Sequence, residues 1–163
     1  MIDYIVLPEE RMRILRRNKK LIEQLENFSQ VKVELNEEIS MDGEALSILR
    51  VKEVLKAFGR GFDFDEALNL LDVDYYLEVI DIGDFANKSK SRLMTLKGRI
   101  IGTDGKTRKI IEKYADVKLS VYGKTISIIG KWDRVMIAKN AIEKILLGSL
   151  HTTVYRFLER YKI

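Results

Sequence analysis

The stretch RIIGTDGKTRKI, residues 99–110, has two glycines three positions apart between two segments with helical spacing. Apolar residues recur there at steps of three and four, which predicts helices over residues 87–101 and 106–115. Glycines allow backbone angles that side chains forbid, and they let amide groups approach a phosphate closely. The positive end of the second helix would face the same point. This stretch therefore predicts a helix-loop-helix unit that can hold a phosphate.

The residues on either side of this unit predict a small sheet and a third helix. Tyr75–Ile80 has the apolar and aromatic density of a strand, and residues 117–121 and 126–130 alternate around the turn Tyr122-Gly123-Lys124. Apolar residues then recur at helical steps up to a plausible C-cap at Gly148; they are Trp132, Val135, Ala138, Ile142 and Ile145. The predicted order is strand, helix, glycine loop, helix, strand, strand, helix.

The first half of the chain repeats this order less clearly. Residues 4–7 predict a strand, a helix opens at Pro8, and a second helix carries Leu21, Ile22, Leu25 and Phe28. Residues 31–35 match 117–121 in their alternation, which gives a repeat offset of about 86 residues. The helix after Asp42-Gly43-Glu44 and further helical turns over 64–71 complete the first copy.

The pattern predicts a mixed α/β fold of the α+β type, with two tandem domains. Each domain is expected to pack a three-stranded sheet on helices in the order βααββα. Residues 1–73 would form the first domain, without the glycine loop and with a helical extension. Residues 74–163 would form the second, with the loop and a C-terminal helical segment.

Composition excludes several classes of function. The chain has 163 residues, no cysteine and one histidine, His151, so thiolate chemistry is absent and most zinc sites and catalytic triads are excluded. We expect no cofactor, no metal and no catalytic residue, and we expect His151 to lie on the surface. No apolar run is long enough to cross a bilayer and the N-terminus lacks a signal pattern, which predicts a cytoplasmic protein without a membrane partner.

Charge is distributed unevenly along the chain. Residues 1–81 carry 11 basic and 18 acidic side chains, whereas residues 82–163 carry 18 and 7. The net charges of the halves are therefore −7 and +11. A basic domain beside an acidic one is what binding of a polyanion by one of the two would produce, although a solvated surface with uneven charge explains the counts equally well.

The loop and its flanks resemble the signature of the type I KH domains, in which an apolar pair precedes G-x-x-G and a helix follows. The resemblance implies that the loop holds single-stranded RNA and that a groove beside it takes about four nucleotides on apolar side chains. The groove would be lined by Ile100, Ile101, Ile110 and the 117–121 strand. The implied RNA-binding residues are Lys97, Gly98, Arg99, Ile100, Ile101, Gly102, Thr103, Asp104, Gly105, Lys106, Arg108, Lys109 and Ile110.

Two features depart from that pattern. Asp104 adds a negative charge inside the loop, and we expect it to serve as the N-cap of the helix that begins at Lys106. The matching window of the first domain, residues 16–20, has no glycine. That region nevertheless carries a run of basic side chains, which is either a secondary RNA contact or an exposed helix surface; they are Arg11, Arg13, Arg16, Arg17, Lys19 and Lys20.

From residue 5 to about 155 the chain resembles the archaeal and eukaryotic KH proteins of small-ribosomal-subunit biogenesis. The resemblance rests on residues 6–11, 56–62 with 66–68, 97–102 with 105–107, 128–130, 138–142 and 146–148 before 154–155. It implies binding near the single-stranded 3′ region of small-subunit rRNA, and a first domain used for protein contacts. It also implies two protein partners, the alpha subunit of translation initiation factor two and the endonuclease that trims the rRNA.

Two alternatives remain at this point. Paired carboxylates at Asp63 and Asp65, or at Asp72 and Asp74, would suit magnesium in an RNA-cleaving enzyme, but both pairs lie where acidic residues cap helices. The other alternative is an interaction scaffold whose loop binds RNA only incidentally.

Overall fold

The computed structural model describes residues 1–163, which form two compact units, Met1–Tyr75 and Tyr76–Ile163. The first unit carries 11 basic and 16 acidic side chains and the second carries 18 and 9, so their net charges are −5 and +9. None of the helices combines the length and the apolar character that a bilayer crossing requires.

The first unit packs helices on one three-stranded sheet. Its elements are β1 (Ile2–Ile5), α1 (Glu9–Arg17), α2 (Lys19–Ser29), β2 (Lys32–Leu35), β3 (Ile39–Asp42), α3 (Ala45–Gly59) and α4 (Phe64–Leu68), followed by a 3-10 turn over Asn69–Leu71. The strand order is β1-β3-β2, and both pairings are antiparallel. Ile39 and Met41 alternate with exposed or half-buried neighbours and lie in the core, as period-two burial requires.

The second unit has the same sheet order with longer strands. Its elements are β4 (Tyr75–Asp81), α5 (Lys90–Ile101), α6 (Lys106–Ala115), β5 (Lys118–Tyr122), β6 (Thr125–Lys131), α7 (Trp132–Leu146) and α8 (His151–Glu159). The sheet order is β4-β6-β5, which leaves β5 at an edge. Its core joins Ile80, Leu119, Ile126 and Ile128 of the sheet to apolar residues of all four helices.

The repeat predicted at an offset of about 86 residues is confirmed by two details. The backbone N–H of Val33 donates to Glu26 Oε2 at 2.9 Å, and that of Leu119 donates to Glu112 Oε2 at 3.0 Å. The second helix of each unit also ends on a left-handed residue, Gln30 in the first and Asp116 in the second. Both pairs of equivalent positions are 86 residues apart, so the units share local contacts as well as element order.

Several element boundaries differ from the sequence prediction. The first strand runs over Ile2–Ile5, because Leu7 is already buried in the approach to α1. Helix α5 begins three residues later than predicted, since the Ser89 hydroxyl caps it by accepting from the Arg92 N–H. Trp132 was expected to face the core, but it stands at the first position of α7 and is 61% exposed.

Candidate nucleic-acid interface

The loop between α5 and α6 is a short turn in left-handed backbone conformations. Helix α5 ends at Ile101, and Gly102 follows with φ 74° and ψ 174°. Asp104 and Gly105 also have positive φ, at 54° and 75°, before α6 begins at Lys106. The Gly105 N–H donates to the Gly102 carbonyl at 3.2 Å, which closes the turn. The predicted helix-loop-helix arrangement is confirmed.

The two glycines of the loop are required for different reasons. A Cβ at Gly102 would lie 2.8 Å from the backbone nitrogen and from the Cβ of Thr107, a distance that packed atoms do not reach. A Cβ at Gly105 would meet only Lys109 Cε, at 3.9 Å. Gly102 is therefore needed for close packing inside the loop, whereas Gly105 is needed for its backbone angle and leaves its surroundings open.

The predicted role of Asp104 is wrong. The N-cap of α6 is Gly105, and no side chain caps that end of the helix. Asp104 instead occupies the left-handed turn, a conformation that Asp tolerates better than most residues. The first-turn amides of α6 thus keep their capacity to bind an anion at the loop.

Lysines dominate the exposed cations at the loop. Lys106 and Lys109 are exposed on α6, and Lys97 is half-buried on α5. Lys113, one turn beyond Lys109, extends the same surface. A shallow depression of about 750 Å³ runs over this side of α6 and is lined by Thr103, Asp104, Lys106, Lys109, Ile110, Lys113 and Tyr114. Three lysines therefore extend from the glycine loop along this side of α6, with the carboxylate of Asp104 at the loop end.

The guanidinium of Arg99 is engaged within the fold. It donates to the carbonyl oxygen of Ile145 in the last turn of α7, at 2.7 Å, and to that of Ser149, three residues beyond the helix. The last carbonyls of a helix have no partner within the helix, so Arg99 serves as their cap. Its position three residues before Gly102 predicts a phosphate-binding cation, but its side chain points to the end of α7.

The residues expected to line one apolar groove lie in different surroundings. Ile100 is fully buried in the core, which corrects its assignment to the groove, and Leu119 of β5 is 1% exposed. Ile101 and Val121 are half-buried and keep accessible surface. Ile110 lies in the depression on the side of α6 that does not face β5. The apolar surface next to the loop is therefore smaller than predicted.

The other side of α6 is tied to the free edge of the sheet. Arg108 Nη2 donates to the Leu119 carbonyl at 3.2 Å, while Glu112 Oε2 accepts from the Leu119 N–H at 3.0 Å. Arg108 and Glu112 also form an ion pair at 3.7 Å. Their spacing of four residues puts both side chains on one helix face. These contacts occupy the backbone groups that an edge strand leaves unpaired, and the sequence analysis did not foresee them.

The first unit has no comparable loop. Only Asn18 separates α1 from α2, and its φ of −127° is negative, unlike the positive φ values of the glycine loop. Arg11 donates to the carbonyls of Phe58 and Phe62, both at 2.8 Å, and lies over the Phe58 ring. Burial lowers the pKa of Arg11, while the charge of Asp63 opposes that shift. Arg11 thus serves the fold.

The rest of the basic run in the first unit is mostly exposed. Arg16 pairs with Glu9 at 2.8 Å and also donates to the Asn36 carbonyl. Four side chains of the run remain as an exposed cationic strip; they are Arg13, Arg17, Lys19 and Lys20. The strip has positive charge but none of the backbone geometry of the glycine loop.

One carboxylate of each pair considered for a metal site has a structural role. Asp63 and Glu66 form a reciprocal capping box at the start of α4. Asp72 accepts from the Asp74 N–H at 2.9 Å in the turn before β4. No group of three or more metal-ligating side chains comes together in the chain. The helix-capping interpretation of Asp63 is confirmed.

His151 is half-buried rather than on the open surface. Its Nε2 lies 2.8 Å from the Arg99 carbonyl oxygen, which can only accept, so Nε2 carries the proton. Its ring stacks on Tyr155, whose hydroxyl is 2.8 Å from the Thr107 hydroxyl. The C-terminal helix thus touches both sides of the glycine loop.

Residues 76–163 match the family described as the eukaryotic type KH-domain, KH-domain type I. The chain is 36% identical over 167 residues to a KH domain-containing protein of Methanocaldococcus jannaschii, covering 98% of this chain and 73% of that protein. It is 28% identical to the pre-rRNA-processing protein PNO1 of Saccharomyces cerevisiae, covering 96% of this chain and 64% of that protein.

A solved structure shares the whole fold. It is the crystal structure of an a/eIF2alpha-aDim2p-rRNA complex from Pyrococcus horikoshii OT3. One chain of that complex superposes with a TM-score of 0.88 at 35% identity and covers 98% of this chain and 93% of that chain.

Proposed function

The chain belongs to the type I KH family, and from that premise we propose that it binds single-stranded RNA through the glycine loop of its second unit. The observation that carries the proposal is the loop itself. Gly102 and Gly105 bring backbone amides to the uncapped N-terminus of α6, and lysines flank that point. Amides and a helix N-terminus bind phosphate without reading sequence, as the KH loop does with about four nucleotides.

The proposed RNA contacts are a subset of the residues that the sequence suggested. Gly98, Gly102, Thr103 and Gly105 would line the path of the sugar-phosphate backbone, with Lys97, Lys106 and Lys109 supplying charge. Ile101 and Ile110 offer apolar surface, and Arg108 stands at the edge of β5. Arg99 and Ile100 support the loop from within the fold.

We extend the proposal to two tandem KH domains, residues 1–73 and 74–163. The shared element order, sheet order and 86-residue offset of equivalent contacts support it. The first domain lacks the loop and carries a net negative charge, so it would contribute protein contacts rather than the main grip on RNA. The helix cap made by Asp63 and the turn contact made by Asp72 support a protein without catalytic activity.

The proposed target is the single-stranded 3′ region of small-subunit rRNA during ribosome biogenesis. A relative named for pre-rRNA processing and a structural neighbour solved with rRNA support this choice. That neighbour also contains a/eIF2alpha, so the alpha subunit of translation initiation factor two is a proposed partner. An rRNA-processing endonuclease is a second proposed partner.

The test is a fluorescence anisotropy titration of the full-length protein with short labelled RNAs. Each phosphate contact on a single strand contributes a slope of about −0.7 to log K against log salt. Three to four contacts at the loop predict that affinity falls about 20- to 50-fold between 50 and 200 mM salt. A duplex of the same sequence should bind more weakly, because its bases are paired and stacked.

Thr103→Asp tests the loop directly. Thr103 is exposed, so the new carboxylate should repel phosphate and raise Kd at least about tenfold without changing the melting curve. Asn140→Asp is the matched control, because it adds the same charge at an exposed site on α7. Equal affinity of the two variants would contradict the loop assignment and favour a scaffold that binds RNA incidentally. A magnesium-dependent RNase assay on the wild type should show no cleavage.

A further inference from the structure

Helix α8 lies beyond the βααββα order yet belongs to the core of the second unit. Val154 and Leu158 are completely buried in that core, and α8 packs on α6 and α7. Burying two side chains of this size contributes about 3–6 kcal/mol toward docking the nine-residue helix. The half-buried residues His151 and Tyr155 lie on this anchored helix, so their contacts have defined positions.

One of those contacts reaches the floor of the glycine loop. The hydroxyls of Tyr155 and Thr107 are 2.8 Å apart, and Thr107 is only 2% exposed. Gly102 rests directly on Thr107, since even a Cβ at Gly102 would lie 2.8 Å from the Thr107 backbone nitrogen. The position of Thr107 therefore sets the position of Gly102, and Tyr155 holds the Thr107 side chain.

A second contact reaches the other side of the loop. His151 Nε2 donates to the carbonyl of Arg99, three residues before Gly102, at 2.8 Å. The His151 and Tyr155 rings are stacked, with centroids 6.0 Å apart and planes 16° from parallel. The guanidinium of Arg99 is in turn bound to the Ile145 carbonyl at the end of α7. The loop is thus attached on both sides to one helix that is anchored in the core.

We propose that Tyr155 is a positioning residue for RNA binding, holding the glycine loop through Thr107 in the conformation that receives the RNA backbone. This inference rests on the proposed function. The loop contains three residues with positive φ, one of them not glycine, so it occupies a conformation that costs free energy. Ordering such a loop only when RNA binds would weaken affinity, whereas a loop held in advance avoids that cost.

The test separates the hydroxyl contact from general packing. Tyr155→Phe and Thr107→Val each remove one hydroxyl and keep the shape, and we expect either to raise the Kd for RNA about three- to tenfold. Thr107→Ser keeps the hydroxyl and should therefore bind RNA with an affinity close to that of the wild type. The double variant should bind no more weakly than the weaker single variant, because the two hydroxyls act as a pair.

Two controls belong to the same helical segment. Tyr161→Phe makes the same chemical change just beyond α8, where the ring packs on Phe157 instead of reaching the loop. Val154→Ala destabilises α8 by removing buried methyl groups but keeps the Tyr155 hydroxyl. Hydrogen exchange at the Gly105 amide, which is bonded to the Gly102 carbonyl, should accelerate in Tyr155→Phe and stay unchanged in Tyr161→Phe.

Each outcome decides between the two proposals. Wild-type protein that shows no salt-dependent RNA binding overturns the proposed function. Wild-type protein that binds, together with Tyr155→Phe and Thr107→Val that bind equally well, overturns only the role of Tyr155. If Tyr155→Phe weakens binding no more than Val154→Ala does for each kcal/mol of stability lost, general stability explains the effect and the positioning role is refuted.

Discussion

Replacement by alanine should change stability differently at each of three glycines near the loop. Gly98 lies inside α5 with open space where a Cβ would go. Gly105 has positive φ in open surroundings, and Gly102 combines positive φ with a backbone clash against Thr107. Replacing each by alanine therefore separates helix propensity, backbone angle and steric overlap at nearly one place in the fold.

The expected magnitudes follow from these environments. Gly98→Ala should stabilise the second unit by about 0.5–1 kcal/mol, because alanine is the better helix former. Gly105→Ala should destabilise the unit by about 1 kcal/mol or less. The left-handed angle costs alanine about 1–2 kcal/mol, but alanine also lowers the conformational entropy of the unfolded chain, which offsets part of that cost. Gly102→Ala should cost about 2–5 kcal/mol, because the φ, ψ pair suits glycine alone and the overlap adds to it.

Urea unfolding followed by tryptophan fluorescence measures these changes in one unit. Trp132 is the single tryptophan and lies in the second unit, so its signal reports that unit alone. Anisotropy with RNA then gives the affinity of each variant under conditions where it is folded. If Gly102→Ala proved as mild as Gly105→Ala, the inferred packing of Gly102 on Thr107 would be wrong.

Two further predictions concern charged side chains. Arg99→Met should destabilise the second unit by about 2–3 kcal/mol, because it removes hydrogen bonds from a charged donor to the end of α7. Arg13→Met, at an exposed site, should change stability by less than about 0.5 kcal/mol. The midpoints of urea unfolding measure both changes. A hydrogen bond from Lys139 to Glu78 raises the pKa of Lys139 above 10.5. This contribution to stability is complete below pH 10.5 and is lost as pH rises through the raised pKa. The free energy of unfolding of Lys139→Met should therefore fall less steeply above pH 10.5 than that of the wild type.

The order of elements could be predicted from the sequence because burial follows simple periods. In β5 and β6 the alternating apolar residues Leu119, Ile126 and Ile128 all lie in the core. In α3 the residues at helical steps, such as Ile48 and Leu55, are buried in the same way. Such periodic burial arises because one face of each helix or strand packs on the core while the other faces solvent.

Element boundaries were harder to predict, because strand register and the limits of the covered face decide them. The apolar run 4–7 was predicted as a strand, but pairing with β3 uses Ile2–Ile5 in register with residues 42 to 39. Trp132 has the correct helical spacing for the core yet lies at the first turn of α7, beyond the edge of the covered face. Neither outcome is visible in periodicity alone.

The candidate site was predicted in its backbone and only partly in its side chains. Glycines three residues apart have a local consequence, and the loop has the positive φ values they allow. The destination of a long arginine side chain is set by whatever lies within its reach after folding. Arg99 and Arg11 illustrate this, since each caps carbonyls about fifty residues away along the chain.

The division of labour between arginine and lysine bears on how RNA is held. Near the loop, Arg99 and Arg108 donate to backbone carbonyls of the protein, whereas Lys106 and Lys109 are exposed. Arginine forms fixed, directional hydrogen bonds, while lysine acts as a mobile point charge. Because the exposed cations at the loop that make no hydrogen bond to the protein are lysines, the charge there suits a grip on phosphates that tolerates different sequences. Any discrimination between bases would then come from the half-buried surface of Ile101 and Val121 and from Arg108 at the sheet edge.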